Sequence, residues 1–136
     1  MDERKFFPKS ERLYLQNDIS LLFDKGHSFV SYPLRIVYMP DANSNASGAP
    51  ISMLVSVPKK RIRHAVRRNR IKRLIRESFR LNKSETSVLL RNNGKHLHIA
   101  FLYICNELMT YSNIEKAVLK ALRIIMIRII KDEKGL

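Results

Sequence analysis

Cysteine is nearly absent from this sequence. The single Cys105 rules out an intramolecular disulfide and any cysteine-based zinc cluster. It lies in the apolar run IAFLYIC, where a small buried side chain is expected. Acidic residues are scarce and dispersed: Asp18, Asp24, Asp41, Glu77, Glu85, Glu107 and Glu115 show no grouping of the kind a two-metal nuclease centre needs. Long hydrophobic runs are missing too. The most apolar stretch, IIMIRII at 124–130, is crossed by Arg128, flanked by Arg123 and Lys131, and far short of the ~20 residues of a membrane span. The N-terminal MDERKFF is charged and has no apolar core of a secretion signal, which makes a reducing cytoplasm the simplest home.

What the chain has in excess is positive charge. Among 136 residues, 26 are Lys or Arg against 12 Asp or Glu, a net +14. The length suits one domain with a real core, residues 1–136, and a hydrophobic content of 45% argues against disorder. Such a charge draws a protein to phosphates, of nucleic acid or of an anionic membrane.

Local patterns divide the chain. Residues 1–16 read as a basic arm in which Pro8 blocks an early helix. Asn17 and Asp18 are helix-capping types, Ile19, Leu22 and Phe23 form an apolar stripe, and Gly26 stops a first helix over 17–25. Strands are predicted at 34–39, between Pro33 and Pro40, at 51–57, ended by Pro58, and at 96–104. DANSNASGAP (41–50) is a loop by composition. A last helix opens at Ser112, or with Asn113 as cap, and runs to about Lys131 with Ile114, Ala117, Val118, Ala121, Leu122 and Ile125 on one face. The predicted order is α-β-β-α-β-α, an α+β single domain with helices packed on a small sheet.

The segment of chemical interest is VRRNRIKRLIR (66–76). From Lys59 to Arg80 there are eleven Lys/Arg and one acid, Glu77, so intramolecular pairing cannot absorb the charge. On a helical wheel Ile71, Leu74, Ile75, Ser78 and Phe79 share one side, while Lys72, Arg73, Arg76 and Arg80 share the other. The stripe does not extend back to Ile62, Ala65 and Val66, so KKRIRHAV is read as a loop or separate turn, and the helix is predicted to begin near Arg67–Asn69. An amphipathic helix anchored by its apolar side and rich in forked guanidinium groups is a preformed surface for a nucleic-acid backbone. Strand and loop on either side of it argue against a DNA-reading helix-turn-helix.

The segment SVPKKRIRHAVRRNRIKRLIRESFR (56–80) closely resembles the signature of the bacterial ribonuclease P protein subunit, matching at Lys59, Lys60, Ala65, Val66, Arg68, Asn69, Arg70, Ile71, Lys72, Arg73, Ile75, Arg76, Glu77 and Phe79. The ERL start, the FDKG helix end and ELMTYSNIEKAV extend the likeness over nearly the whole chain. The resemblance implies an α/β sandwich with a left-handed β-α-β crossover carrying the arginine-rich helix. It implies a non-catalytic component of an endoribonuclease: a large RNA, requiring Mg2+, removes the 5′ leader of precursor tRNA, and the protein binds both that RNA and the leader. No further protein partner, membrane, or cofactor held by the protein alone is implied. Lys59, Lys60, Arg67, Arg68, Asn69, Arg70, Lys72, Arg73, Arg76 and Arg80 become the expected RNA-facing set. The leader is expected in a cleft between the first helix and the sheet, lined by Ile19, Phe23 and a strand residue that aligns as Val37 or Tyr38, with Tyr38 preferred. Ile19 stands where an aromatic is common, and RIRH (61–64) replaces a shorter glycine-containing loop.

Three other readings compete: a general structured-RNA or ribosome-associated protein of the same fold, a dimeric DNA-binding regulator, and a membrane-surface protein using its apolar C-terminal helix. His64, His96 and His98 offer acid–base groups, and His96 and His98 share a strand face by alternation. The expectation for that pair is exposure at a strand start rather than catalysis.

Overall fold

The structure is a computed structural model that describes residues 16–41 and 50–133. The expected basic arm and the 41–50 loop lie outside the described residues, apart from Gln16, Asp41 and Pro50. The chain order is α1 (Gln16–Lys25), β1 (His27–Ser31), β2 (Leu34–Asp41), β3 (Ile51–Ser56), α2 (Ala65–Asn82), α3 (Ser84–Asn92), β4 (His96–Tyr103) and α4 (Tyr111–Glu133). The four strands form one sheet in the order β1-β2-β4-β3. β1 and β2 are an antiparallel hairpin, β2 runs antiparallel to β4, and β3 lies parallel to β4. α2 and α3 make the crossover between the parallel pair, so the architecture is mixed α+β.

Two elements are additional to the predicted order. β1 (HSFVS) is an edge strand whose side chains are mostly open to solvent, with only Ser31 fully buried, so it carries no apolar alternation. Its buried end is held by a polar contact, Ser31 Oγ donating to the Ala117 carbonyl at 2.8 Å. α3 is nine residues long and buries only Thr86 and Leu90, so packing rather than intrinsic propensity sustains it. α4 starts one residue before the predicted opening. Its cap is Thr110, whose Oγ1 accepts from the Asn113 amide at 3.2 Å.

Pleating sends alternate residues of each strand to opposite sides. One side presents Leu34, Ile36 and Tyr38 from β2, Ile51, Met53 and Val55 from β3, and Leu97, Ile99, Phe101 and Tyr103 from β4. α2, α3 and α4 close over it with Ile71, Ile75, Phe79, Leu90, Ile114, Val118, Leu122, Ile125 and Ile129. Each such side chain taken from water contributes roughly 1.5–3 kcal/mol. Burial of Ile125 and Ile129 at 0% and 1% exposure turns the apolar stripe of α4 inward, which removes the membrane-surface reading. Among the described residues no helix is long and apolar enough to cross a membrane.

The other side of the sheet is covered differently. α1 alone of the described helices lies there, over β2, with Leu22, Val37 and Ala100 as a small buried cluster and Ile19, Met39, Leu54 and Leu102 partly buried around it. Gly26 sets how closely α1 turns into β1. Its amide donates to the Leu22 carbonyl at 2.8 Å, and a Cβ there would lie 2.3 Å from that oxygen and 3.1 Å from both the Tyr38 carbonyl oxygen and Val37 Cγ1. Gly26→Ala should therefore push α1 off the sheet and cost about 1–3 kcal/mol, read as a lower denaturant midpoint. An unchanged midpoint would mean that α1 adjusts freely on β2.

Candidate nucleic-acid interface

α2 is built as the periodicity requires. Ile71, Ile75, Ser78 and Phe79 are buried and Leu74 packs at their margin, while Arg67, Asn69, Arg70, Arg73 and Arg76 are exposed and Lys72 and Arg80 are half-exposed. The Phe79 ring meets Phe101 of β4 edge-on at 5.9 Å, which fixes the helix to the sheet. Arg80 is paired along the helix with Glu77, so the single acid of the segment is engaged with one of the predicted RNA-facing residues.

The helix begins at Ala65, earlier than the stripe suggests. Val66 is 81% exposed, so no apolar contact of its own holds the first turn. Arg68 does this instead. Its Nη1 donates to the carbonyls of Ile62 and Arg63 at 3.1 and 2.7 Å, tying the preceding loop to the helix. Arg68 is thus partly buried and inwardly bonded, unlike Arg67 and Arg70 on either side. The loop is further ordered by a turn at 58–61, where the Arg61 and Ile62 amides donate to the Pro58 carbonyl, and by burial of Ile62. Lys59 and Lys60 stand exposed on that turn. No acidic residue occupies the first turn of α2, and His64 at the N-cap makes no side-chain capping bond. The free amides and dipole of this end favour an anion in addition to the arginines.

The second expected site is the groove between α1 and the sheet. Ile19 is half-buried there, and Phe23 on the same helix is 45% exposed, so Phe23 is not a core side chain. Tyr38 is not in this groove. It is 3% exposed and belongs to the main core on the opposite side of the sheet, where its hydroxyl accepts from Arg128 Nη1 at 3.0 Å and Arg128 also lies over its ring. The preference for Tyr38 is therefore corrected: of the two alternatives, Val37 faces α1, packed with Leu22 and Ala100. The antiparallel register, Val37 opposite Ala100 and Tyr38 opposite Ile99, fixes which side each faces. Beyond α1 the groove floor continues over Leu54 and Leu102, which are only half-covered.

His96 departs from expectation as well. It is 3% exposed, its Nε2 lies 2.8 Å from Ser52 Oγ, and its ring meets that of His98 at 4.7 Å. The pair is packed into the sheet rather than displayed at its edge. Cys105 is buried, and its Sγ accepts from the Glu107 amide. Among the described residues no three His, Cys, Asp or Glu side chains converge as a metal site.

A family model described as Ribonuclease P matches residues 7–126. The chain belongs to the ribonuclease P protein family. A ribonuclease P protein component from Porphyromonas gingivalis is 46% identical over 114 residues, covering 84% of this chain and 82% of that one. Another from Chlorobium phaeobacteroides is 37% identical over 102 residues, covering 71% and 70%. The RNase P protein of Staphylococcus aureus superposes with a TM-score of 0.63 at 26% identity, over 86% of this chain and 96% of that one. The Thermotoga maritima RNase P protein shares the fold, with a TM-score of 0.60 over 83% and 96% of the two chains.

Membership of the ribonuclease P protein family makes the chain a subunit of an endoribonuclease that works with an RNA. Sequence reasoning passed over Arg61 and Arg63, which belong to the same basic segment. Arg61 Nη1 donates to Asn106 Oδ1 at 3.3 Å, linking this loop to the one that follows β4.

Proposed function

We propose that this chain holds ribonuclease P RNA on the exposed face of α2 and the single-stranded 5′ leader of precursor tRNA in the groove beside α1, thereby assisting RNA-catalysed removal of the leader in the cytoplasm. The observation that carries the reading is the outward display of Arg67, Arg70, Arg73 and Arg76 on a helix whose opposite side is locked by Ile71, Ile75 and Phe79. Phosphates release counterions on meeting such a surface, and the buried anchor means that no ordering of the backbone has to accompany contact. The α1 side offers what a leader needs: an apolar floor at the half-covered Leu54 and Leu102, and on α1 the exposed Phe23 ring for an unstacked base. Mg2+ belongs in this reading to the RNA-catalysed step, and the protein's contribution is electrostatic and positional.

The test is leader cleavage at low Mg2+ by a bacterial ribonuclease P RNA, with and without the protein. Strong stimulation is expected. Intact binding to unrelated structured RNAs without stimulation would replace the proposal by a general RNA-binding role. Phe23→Ala should weaken the holoenzyme's binding of precursor tRNA about 5- to 50-fold while leaving mature tRNA unaffected, because only the precursor offers a base to stack. Equal losses for both RNAs would remove the leader from this groove.

A further inference from the structure

Arg128 is the one charge within the apolar run 124–130 of α4. Its guanidinium lies over the Phe29 ring at 5.1 Å and over the Tyr38 ring at 5.8 Å, and its Nη1 donates to the Tyr38 hydroxyl at 3.0 Å. Two aromatic faces and one hydrogen bond thus hold the planar fork in place, although Arg128 as a residue is exposed. A guanidinium carries five N–H donors, and Tyr38 engages one of them. The helix dipole does not account for this position. Arg128 precedes the last turn of α4, where Lys131 is the cation that complements the closing carbonyls.

The same guanidinium lines a cavity of about 310 Å³ between the β1–β2 hairpin and the end of α4. The sheet supplies His27, Tyr38 and Pro40, and α4 supplies Arg128, Lys131 and Asp132. The His27 residue is exposed, its ring 5.4 Å from that of Tyr38 and tilted 40° to it. The volume falls at the lower end of the roughly 300–1,000 Å³ of ligand pockets, which suits one nucleotide and no larger motif. The chemistry suits one too. A phosphate finds the Arg128 fork and the Lys131 ammonium, a base finds the flat His27 ring, and the Asp132 carboxylate can accept from an N–H on the base edge. Topology sets this cavity apart from the two sites already described. Tyr38 belongs to the side of the sheet covered by α4, not to the side of α1. Pro40 stands opposite Leu97, near the start of β4, whereas α2 follows the end of β3, where Ser56 stands opposite Leu102.

We infer that this cavity binds a single unpaired nucleotide of RNA, with Arg128 and Lys131 on its phosphate and His27 against its base, so that a second RNA contact lies at the opposite end of the sheet from the start of α2. The inference rests on the RNA-binding reading of α2. The nucleotide belongs either to ribonuclease P RNA or to precursor tRNA, and the recognising chemistry is common to both.

The chain contains no tryptophan, so His27→Trp places a single indole reporter at the cavity in the full-length protein and keeps a flat ring there. Its fluorescence should be quenched on titration with ribonuclease P RNA if that RNA supplies the base. If the precursor does, quenching should appear only when precursor tRNA is added to the assembled holoenzyme. Absence of quenching in both titrations overturns the inference. In parallel, Arg128→Met keeps an apolar stem over Phe29 and Tyr38 while removing the fork, and Lys131→Gln removes the second cation from an exposed position. The double variant should bind the RNA so identified about 5- to 50-fold more weakly, with the slope of log affinity against log salt flattened by roughly 0.7, as for one single-stranded phosphate. Lys131→Gln alone should show part of the same loss, which keeps the test independent of any change in packing around Arg128. If Arg128 only shields the two rings, both variants bind both RNAs with wild-type affinity and salt slope, and the inference falls. Wild-type binding by the double variant beside a loss in Arg70→Ala removes only the cavity; wild-type binding by both removes the α2 reading with it.

Discussion

Replacing Arg67, Arg70 and Arg73 together by alanine should lower affinity for ribonuclease P RNA by about 10²- to 10³-fold and abolish stimulation of leader cleavage at low Mg2+. All three are exposed on the outer side of α2, so their loss should leave the fold untouched. The slope of log affinity against log salt should flatten by roughly 0.7–0.9 for each phosphate contact removed. Arg68 is expected to behave differently despite its place in the same run. Its guanidinium bonds the Ile62 and Arg63 carbonyls, so Arg68→Ala frees the loop carrying Lys59, Lys60 and Arg61 and lowers stability as well as affinity. A thermal midpoint that falls for Arg68→Ala but not for the triple variant would separate the two roles. If the triple variant binds RNA with wild-type salt dependence, α2 is not the RNA-facing surface.

The contrast between Arg68 and its neighbours shows what one sequence can and cannot disclose. α2 was legible because its apolar residues recur at helical spacing against an almost uniformly basic background, and both sets lie where the wheel puts them. The start of the helix was not legible, because an arginine bonding backward to carbonyls leaves no apolar period. β1 was hidden for a related reason: an edge strand with one buried side chain has no alternation to detect. In a strand a single step of register exchanges the two sides, so the preference for Tyr38 over Val37 could be corrected only once pairing with β1 and β4 fixed the face of β2.

The second large effect concerns the anchor beneath the basic face. Phe79→Ala should cost about 3–5 kcal/mol, a large part of the 5–15 kcal/mol typical of a domain's whole stability. The ring is fully buried, meets Phe101 at 5.9 Å and supports Lys83 6.0 Å from its centroid, so truncation opens a cavity between α2 and β4. Urea unfolding should show the midpoint reduced with the slope preserved, as for a change in packing rather than in the extent of unfolding. RNA binding then gives an independent reading of the same coupling. RNA that binds only the folded protein should raise the midpoint of the Phe79→Ala variant with increasing concentration, by mass action. Recovery of the fold in this way would show that the charged face and the core stripe are two sides of one device, in which the apolar side holds the arginines in register and the RNA offsets their mutual repulsion. A Phe79→Ala protein as stable as wild type would mean that Ile71 and Ile75 suffice to hold α2, and that its aromatic contact with the sheet is dispensable.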